Sequence, residues 1–327
     1  MKTTTKSTYG LAVIDNQTVF QKICNYDIQK EVQGYNLISS IYKCPKLLSY
    51  DDTARELIFE YCESFDSKIL HNQIYHQPNT DFSQVLQTLL NPVKDLQLSK
   101  KETLQNELFF SGRANKIKKY FMLENINKKI SFNGIKLPSL SKVIKKFVTI
   151  AQKNNPMYAC VLQGDPTDLN CTTDGFITDY EVAGNNSITG EIAIFCGCYI
   201  VNSYYFYIKY VKSAHADYTH TLEKYKNHIH PEVKLEKKIH VMASHLVPDN
   251  NKLFVTQYLT EISKKLTKKQ KKHIEKHLGL YLAMRMMTPV NLEVVEEKER
   301  YLLFALASYF FSKVKTIEDI IHLVNTL

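Results

Sequence analysis

Three polar side chains in the middle of the chain have the types and spacing of a phosphoryl-transfer site. Asp165 lies five residues before Asn170, and a second aspartate, Asp179, follows after a short apolar run. In such a site one carboxylate receives or orients the proton of an attacking hydroxyl, while an amide and a second carboxylate hold magnesium on the nucleotide phosphates. The pattern therefore assigns Asp165 to the first role, and Asn170 and Asp179 to the second.

The sequence around Asp165 predicts a loop at the end of a buried strand. Met157–Leu162 is a short apolar run that includes a tyrosine and a valine, which is typical of such a strand. Gly164 and Pro166 interrupt the run, so Asp165 falls where a side chain can face a cleft.

A tight hairpin is predicted between Asn170 and Asp179. Asp174-Gly175 is a hairpin signal with threonines before it and Phe and Ile after it. This hairpin would return Asp179 to the side of Asn170, as two ligands of one ion require. The alternative is a solvated loop in which Asp and Asn only cap helices or turns, as these residues commonly do.

The N-terminal region is predicted to contain strands with one helix between them. We expect strands over 9–13, 18–23 and 57–61 and a helix over 27–42. Asp15-Asn16 marks the turn between the first two strands. Lys22 lies on the second strand and Glu31 near the start of the helix. Taken singly each would be an ordinary solvated charge, but their order and placement favour a functional pair.

Taken together, these motifs resemble those of the aminoglycoside phosphotransferase-like family of small-molecule kinases, which includes the choline kinases. That family usually carries H-G-D-x-x-x-x-N, followed by I-D-W/F-E. The corresponding residues of this chain are Gln163-Gly164-Asp165, Asn170 and Asp179-Tyr180-Glu181. The resemblance covers roughly residues 7–195.

The resemblance implies an α+β, bilobal protein-kinase-like fold and an ATP-dependent reaction. Residues 1–62 would form a small β-rich lobe that covers the nucleotide, and residues 63–327 a larger, mostly helical lobe with the catalytic loop, the metal site and the acceptor-binding helices. Lys22 would hold the α- and β-phosphates, and Glu31 would position Lys22. The implied nucleotide-binding hinge consists of Glu60, Tyr61 and Cys62. The implied cofactors are ATP (or GTP) and Mg²⁺.

The chain departs from the family pattern at three places. Gln163 stands where the family has a histidine, whose expected role is to hydrogen-bond the backbone around the metal-binding turn. Because a glutamine amide both donates and accepts, we expect Gln163 to hold the same turn without titrating. The hairpin before Asp179 is a few residues shorter than usual. The nucleotide-covering stretch contains only Gly10, whereas protein kinases have a glycine-rich loop there.

The rest of the chain is predicted to be mainly helical. We expect helices over 81–90, 101–121 and 141–150, and another from Ile192 into the tyrosine-rich stretch 199–210. The last hundred residues are expected to be helices that shape an acceptor pocket. Glu191 occupies the acidic position that opens a helix in the family, so we predict a structural role for it. Cys196 and Cys198 are too closely spaced for a usual zinc pair and are predicted to be core thiols.

The composition is that of an ordinary globular protein with a basic balance. The chain has 42 Lys and Arg against 33 Asp and Glu, a formal charge of +9. This balance could favour anionic partners, or it could reflect the base composition of the genome. The seven cysteines do not form a secreted disulfide framework, residues 1–6 lack the apolar core of a signal peptide, and residues 301–311 are too few to span a bilayer. We therefore expect a cytoplasmic protein with no membrane partner.

Two further clusters of residues could be functional, but a simpler explanation is favoured for each. The basic run 264–273 is most simply a solvated helix face, and the alternative is a docking patch for an acidic partner or nucleic acid. Six histidines match no zinc-binding spacing. They are His215, His220, His228, His230, His240 and His245.

These features predict a kinase that moves the γ-phosphoryl group of ATP to a hydroxyl of a small molecule: an aminoglycoside-like antibiotic, a sugar, a nucleoside or another natural product. From residue 213 onward there are 18 Lys and Arg and 13 Asp and Glu, so this region has no acidic excess for a cationic aminoglycoside. One alternative is a catalytically weak pseudokinase, suggested by Gln163 and the poor glycine loop. Another is a kinase that acts on protein or RNA, suggested by the basic run, although a nucleic-acid partner is not favoured.

Overall fold

The computed structural model describes residues 2–3, 7–200, 231–244, 247–287 and 297–327. Within these ranges the first sixty residues are rich in strands and the remainder is mostly helical, so the predicted α+β class is confirmed. Most of the tyrosine-rich stretch, and all of the six histidines except His240, lie outside the described residues.

The N-terminal sheet contains five antiparallel strands in the order β1-β2-β3-β5-β4. The strands are β1 (Lys2–Thr3), β2 (Ser7–Ile14), β3 (Gln17–Cys24), β4 (Leu47–Asp51) and β5 (Glu56–Glu60). Asp15 and Asn16 join β2 to β3 with φ angles of 50° and 61°, the left-handed conformation that two-residue hairpins require. The predicted turn and the three predicted strands are confirmed, and β4 was not predicted.

Helix α1 (Gln29–Ile38) follows β3 and is shorter than the predicted 27–42. Tyr35 on α1 packs edge-on against Phe59 of β5, with ring centroids 6.1 Å apart. Gly34 lets the helix approach the rest of the molecule closely, since a Cβ at this position would lie 2.0 Å from the carbonyl oxygen of Tyr180. The close approach places the helix beside the turn that contains Asp179.

Two smaller sheets lie beyond the N-terminal sheet, with strand orders β10-β9-β6 and β11-β12-β7-β8. Their strands are β6 (Gln97–Ser99), β7 (Ile130–Phe132), β8 (Ile135–Leu137), β9 (Met157–Leu162), β10 (Gly184–Ser187), β11 (Glu232–Leu235) and β12 (Ile239–Met242). The predicted strand β9 is confirmed residue for residue. The expectation that the last hundred residues are all helical was wrong at β11 and β12, because strands of four residues are too short to show a periodicity.

The helices of the larger part pack around a common buried core. They are α2 (Ser64–Ser67), α3 (Leu70–His76), α4 (Ser83–Leu90), α5 (Gln105–Ile117), α6 (Leu140–Ala151), α7 (Ile188–Ile200), α8 (Asp249–Lys265), α9 (Lys268–Met286), α10 (Glu297–Lys313) and α11 (Ile317–Thr326). Every residue of α7 is buried, and its composition is apolar on all sides, as a central helix requires. The helix predicted over 101–121 is divided into a 3₁₀ turn, α5 and a second 3₁₀ turn.

Cys196 and Cys198 are buried in α7 as free thiols, which confirms their prediction as core residues. The basic run begins at the end of α8 and continues along α9, where Lys271 pairs with Glu318. Throughout the described ranges, no helix combines the length and the apolar character needed to cross a bilayer.

Candidate active site

Lys22, Glu31 and Asp179 meet although they come from three different elements. The Lys22 ammonium on β3 lies 2.8 Å from both carboxylate oxygens of Glu31 on α1. It also lies 3.0 Å from the Oδ1 atom of Asp179, a residue 157 positions away in the sequence. The structure therefore brings together a lysine and a glutamate predicted to pair and an aspartate predicted to bind metal.

The electrostatics of this cluster keep Lys22 charged. Burial alone would lower the pKa of Lys22, but the carboxylates of Asp179 and Glu31 outweigh it and raise that pKa well above its ordinary value. Glu31 is 1% exposed and receives a further hydrogen bond from the Tyr26 hydroxyl at 2.7 Å. A permanently charged ammonium held at a fixed position is suited to binding phosphate oxygens.

The face of the N-terminal sheet that carries Lys22 also carries apolar residues. Tyr9 is the cross-strand partner of Lys22, and Leu11 is the partner of Phe20, two residues before Lys22 and therefore on the same face. The Tyr9 and Phe20 rings lie 5.8 Å apart. These residues were not predicted as site residues, although the alternation of β3 could have indicated them. An apolar surface beside Lys22 is suited to covering a planar ring, such as the base of a nucleotide.

The predicted hinge follows directly after β5. Glu60 is the last residue of that strand, and its N–H donates to the Lys46 carbonyl at 2.8 Å. Tyr61 and Cys62 are half-buried, and the Tyr61 hydroxyl hydrogen-bonds Asp66. These three residues therefore lie where the chain leaves the sheet for α2, and their contact with a nucleotide stays a prediction.

Asp165 lies on a short loop after β9, as predicted. Gly164 begins the loop with a φ of +88°, and a Cβ there would lie 2.2 Å from the Val182 carbonyl oxygen, so only glycine fits. The Asp165 carbonyl accepts hydrogen bonds from the Thr167 N–H at 2.7 Å and from the Asn170 side-chain amide at 3.0 Å. The Asp165 N–H also donates to the Gln163 side chain, so the backbone is fixed on both sides of Asp165, while the residue is only half-buried.

The predicted hairpin connects Asn170 to Asp179. The Thr178 N–H donates to the Asn170 carbonyl at 2.9 Å, and the Gly175 N–H closes the turn on Thr172 at 3.0 Å. Asp179 itself has a φ of +61°, a left-handed conformation that is uncommon outside glycine and recurs at functional sites. The hairpin therefore reverses the direction of the chain. Thr178 pairs with Asn170, and Asp179 is the next residue.

The oxygens at this hairpin suit magnesium. The Asn170 amide nitrogen is occupied by the Asp165 carbonyl, and the Asp179 carboxylate is 32% exposed. Over the described part of the chain, no group of three His, Cys, Asp or Glu side chains could hold a metal ion by itself. Mg²⁺ in nucleotide sites is usually held by one or two protein oxygens, with phosphates and waters completing its shell. Asn170 and Asp179 fit that pattern, in which the binding of Mg²⁺ requires the phosphates of the nucleotide as further ligands.

Gln163 links the loop of Asp165 to the turn of Asp179. Its Nε2 atom donates to the carbonyls of Thr178 at 3.2 Å and Asp179 at 3.0 Å. Its Oε1 atom accepts from the Asp165 N–H at 2.6 Å. Gln163 is fully buried and makes the backbone hydrogen bonds predicted for it from sequence.

We expect Gln163→His to retain activity within about tenfold of wild type, or roughly 1.4 kcal/mol in the barrier, because an imidazole can also bridge the two segments. Gln163→Ala should reduce turnover further, because it leaves the carbonyls of Thr178 and Asp179 without their donor. Turnover assays on both variants measure this. If wild type transfers no phosphoryl group while Gln163→His does, then the glutamine is an inactivating substitution.

Glu191 lies beneath the loop at the start of α7 and is 4% exposed. One carboxylate oxygen accepts a long hydrogen bond of 3.4 Å from the Gly164 N–H, and the other has no partner in the part of the chain that the structure describes. Burial raises the pKa of Glu191 to about 8, the charge of Asp165 adds to the rise, and the Gly164 N–H opposes it. Glu191 therefore supports the loop mainly as a neutral acid.

This raised pKa predicts a pH-dependent stability that Glu191→Gln removes. The folded state holds the Glu191 proton more tightly than the unfolded state. The contribution of Glu191 to the free energy of unfolding is therefore complete below pH 4.5 and is lost as pH rises towards 8. Glutamine resembles the protonated form at every pH. The melting temperature of the variant minus that of wild type should therefore be larger at pH 8 than at pH 5. Thermal unfolding of both proteins at pH 5 and pH 8 tests this. The same difference in melting temperature at the two pH values would contradict the prediction.

Sequence reasoning missed His71 and Asp168. The His71 Nδ1 atom on α3 lies 3.0 Å from the Oδ2 atom of Asp168, which is three residues after Asp165, and both side chains are buried. A lone histidine that lies 97 residues before Asp168 gives no signal in a single sequence. Asp168 could have been noticed as a further carboxylate within the motif.

The family resemblance depends on the motif residues alone. Compared with known proteins, the chain matches no family model and no curated protein.

Proposed function

We propose that the protein is a phosphotransferase that moves the γ-phosphoryl group of ATP (or GTP) to a hydroxyl of a small molecule. The observation that carries the proposal is the contact of Lys22 with both Glu31 and Asp179. A charged lysine, 13% exposed and paired to a glutamate on the next helix, beside an aspartate suited to metal, is what a nucleoside triphosphate needs at its phosphates.

Each residue then has one role. Lys22 binds the α- and β-phosphates, and Glu31 fixes the position of Lys22. Asp165 accepts or orients the proton of the acceptor hydroxyl, because its half-buried side chain extends from a loop whose backbone is hydrogen-bonded on both sides. Asn170 and Asp179 would hold Mg²⁺, which when bound neutralises charge on the phosphates.

The proposal includes a bilobal, kinase-like arrangement with the nucleotide between the lobes. Residues 1–62 would be the smaller lobe and residues 63–327 the larger one, with Glu60, Tyr61 and Cys62 at the hinge. The apolar face of Tyr9 and Phe20 supports this, since it lies beside Lys22 and could cover a base.

A small hydroxyl compound that is neutral or anionic fits the acceptor role at least as well as a cationic aminoglycoside. The basic balance of residues 213–327 offers no carboxylate excess to neutralise several ammonium groups when they are desolvated. A sugar or a nucleoside needs no such excess.

The proposal is tested by nucleotide binding and by turnover. ATP with Mg²⁺ should raise the melting temperature clearly, whereas ATP with EDTA should raise it only weakly, because Asn170 and Asp179 contact the nucleotide through the ion. ATP consumption is then measured against a panel of sugars, nucleosides, aminoglycosides, protein and RNA. Equal shifts with and without EDTA would exclude the magnesium assignment. Magnesium-dependent binding without turnover on any acceptor would favour a pseudokinase, and turnover only on protein or RNA would contradict a small acceptor.

A further inference from the structure

The loop that carries Asp165 is fastened to α3 through the backbone. The His71 N–H donates to the Asp168 carbonyl and the Leu70 N–H to the Cys171 carbonyl, each at 2.9 Å. The Thr173 N–H donates to the Lys68 carbonyl, also at 2.9 Å. The start of α3 thus lies alongside the loop and the first half of the hairpin.

Side chains from two helices hold the Asp168 carboxylate. His71 on α3 contacts its Oδ2 atom at 3.0 Å, and the Cys198 thiol on α7 donates to its Oδ1 atom at 3.7 Å. The His71 side chain is 1% exposed and that of Asp168 is 3% exposed. A buried carboxylate is tolerated only where such partners are present, so the position of Asp168 is tightly constrained.

A second contact holds the same loop one residue after Asp165. The Tyr199 hydroxyl on α7 donates to the Pro166 carbonyl at 3.4 Å. Asn251 on α8 donates to the Tyr199 carbonyl and to the Tyr75 hydroxyl, both at 3.1 Å. The Tyr75 ring in turn lies 4.7 Å from the His71 ring. Side chains of α3, α7 and α8 therefore enclose residues 166–168.

Asp165 cannot move independently of Asp168, because the segment between them folds back on itself. The Thr167 N–H donates to the Asp165 carbonyl at 2.7 Å, and the Asn170 N–H donates to the Thr167 carbonyl at 3.1 Å. A displacement of Asp168 is thus passed on to Asp165 within one tight turn. Displacements of about 1 Å from a residue outside the reacting atoms can reduce catalysis by about 10²-fold.

We infer that His71 is a positioning residue for Asp165 that acts through Asp168. This inference depends on the proposed function, since it assigns Asp165 as the residue that receives or orients the acceptor proton. The net stability that a buried, hydrogen-bonded polar pair adds is often small compared with a well-packed apolar pair, so stability alone does not account for the arrangement. The contact between His71 and Asp168 instead holds the loop that carries Asp165 in one position.

Three variants test the inference. His71→Leu removes the donor to Asp168, whereas His71→Asn keeps an N–H donor near the position of Nδ1. Tyr281→Phe is the matched control, because it removes a buried hydrogen bond of 2.6 Å to Glu107 within the helical part. We expect His71→Leu to lower kcat by about 100-fold with KM for ATP within about threefold, and His71→Asn to stay within about fivefold of wild-type kcat. Tyr281→Phe should retain wild-type kcat.

Amide hydrogen exchange measures the same effect without turnover. His71→Leu should accelerate exchange in peptides that cover residues 163–173, and His71→Asn should restore most of the protection. If wild type turns over no ATP with any acceptor, then the proposed function fails, and the exchange pattern still decides whether His71 holds the loop. Unchanged protection in His71→Leu, or a kcat loss no larger than that of Tyr281→Phe, overturns the inference. An equal loss of kcat in His71→Asn and His71→Leu also overturns the inference.

Discussion

Asp165→Asn should lower turnover by about 10²–10⁴-fold while nucleotide binding stays close to wild type, because the substitution removes proton acceptance from the acceptor hydroxyl. The fold should be preserved. The backbone N–H and carbonyl of Asp165 hydrogen-bond Gln163, Thr167 and Asn170, and the substitution leaves these backbone contacts unchanged. Steady-state kinetics with the best acceptor of the panel, and ATP titrations monitored by thermal shift, measure the two effects separately.

Asp174→Asn is the matched control for Asp165→Asn. Asp174 is a carboxylate in the neighbouring hairpin, and it bonds the Ser64 hydroxyl at 2.8 Å and the Lys68 ammonium at 3.2 Å. Its ion pair with Lys68, whose side chain is 53% exposed, has a small expected energy, so removal of the Asp174 charge should leave turnover within a few-fold of wild type. If both variants behave alike, or if Asp165→Asn retains turnover within a few-fold, Asp165 has neither of its assigned roles.

The parts of the site that sequence reasoning predicted share a local signature. The Asp174-Gly175 signal marks the hairpin because glycine fits the left-handed position after the turn, and Gly175 does have a φ of +85°. Lys22 and Glu31 were identified because a β-rich run and a helical period specify which element each occupies. The ion pair of Lys22 with Asp179, 157 residues apart, then follows from the assembly of those elements.

Other parts were missed because they have no local signature. The approach of His71 to Asp168 depends on how α3 docks against the loop, and a single sequence contains no information on such a contact. Strands β6, β7 and β8 have three residues each, so they show neither alternation nor a run that would distinguish them from loops. Glu191 was predicted as structural, but its burial, and hence its raised pKa, depends on the packing of α7 beneath the loop.

Lys22→Met should reduce kcat/KM by about 10³-fold, because it removes the charge that binds the phosphates. The same variant should also be less stable, and the two effects must be separated. Glu31 is 1% exposed and would lose its counter-ion, which typically costs about 3–5 kcal/mol for a buried pair. Asp179 would also lose a partner, but its exposure allows water to solvate it.

The double variant Lys22→Met/Glu31→Gln separates stability from chemistry. Glutamine at position 31 carries no charge and can still accept the hydrogen bond from the Tyr26 hydroxyl, so much of the lost stability should return. Activity should not return, because no ammonium remains to bind phosphate. Urea unfolding and ATP turnover are measured on wild type, the two single variants and the double variant. Recovery of both stability and turnover in the double variant would show that Lys22 acts only as the counter-ion of Glu31, and the assignment of a phosphate-binding lysine would be wrong.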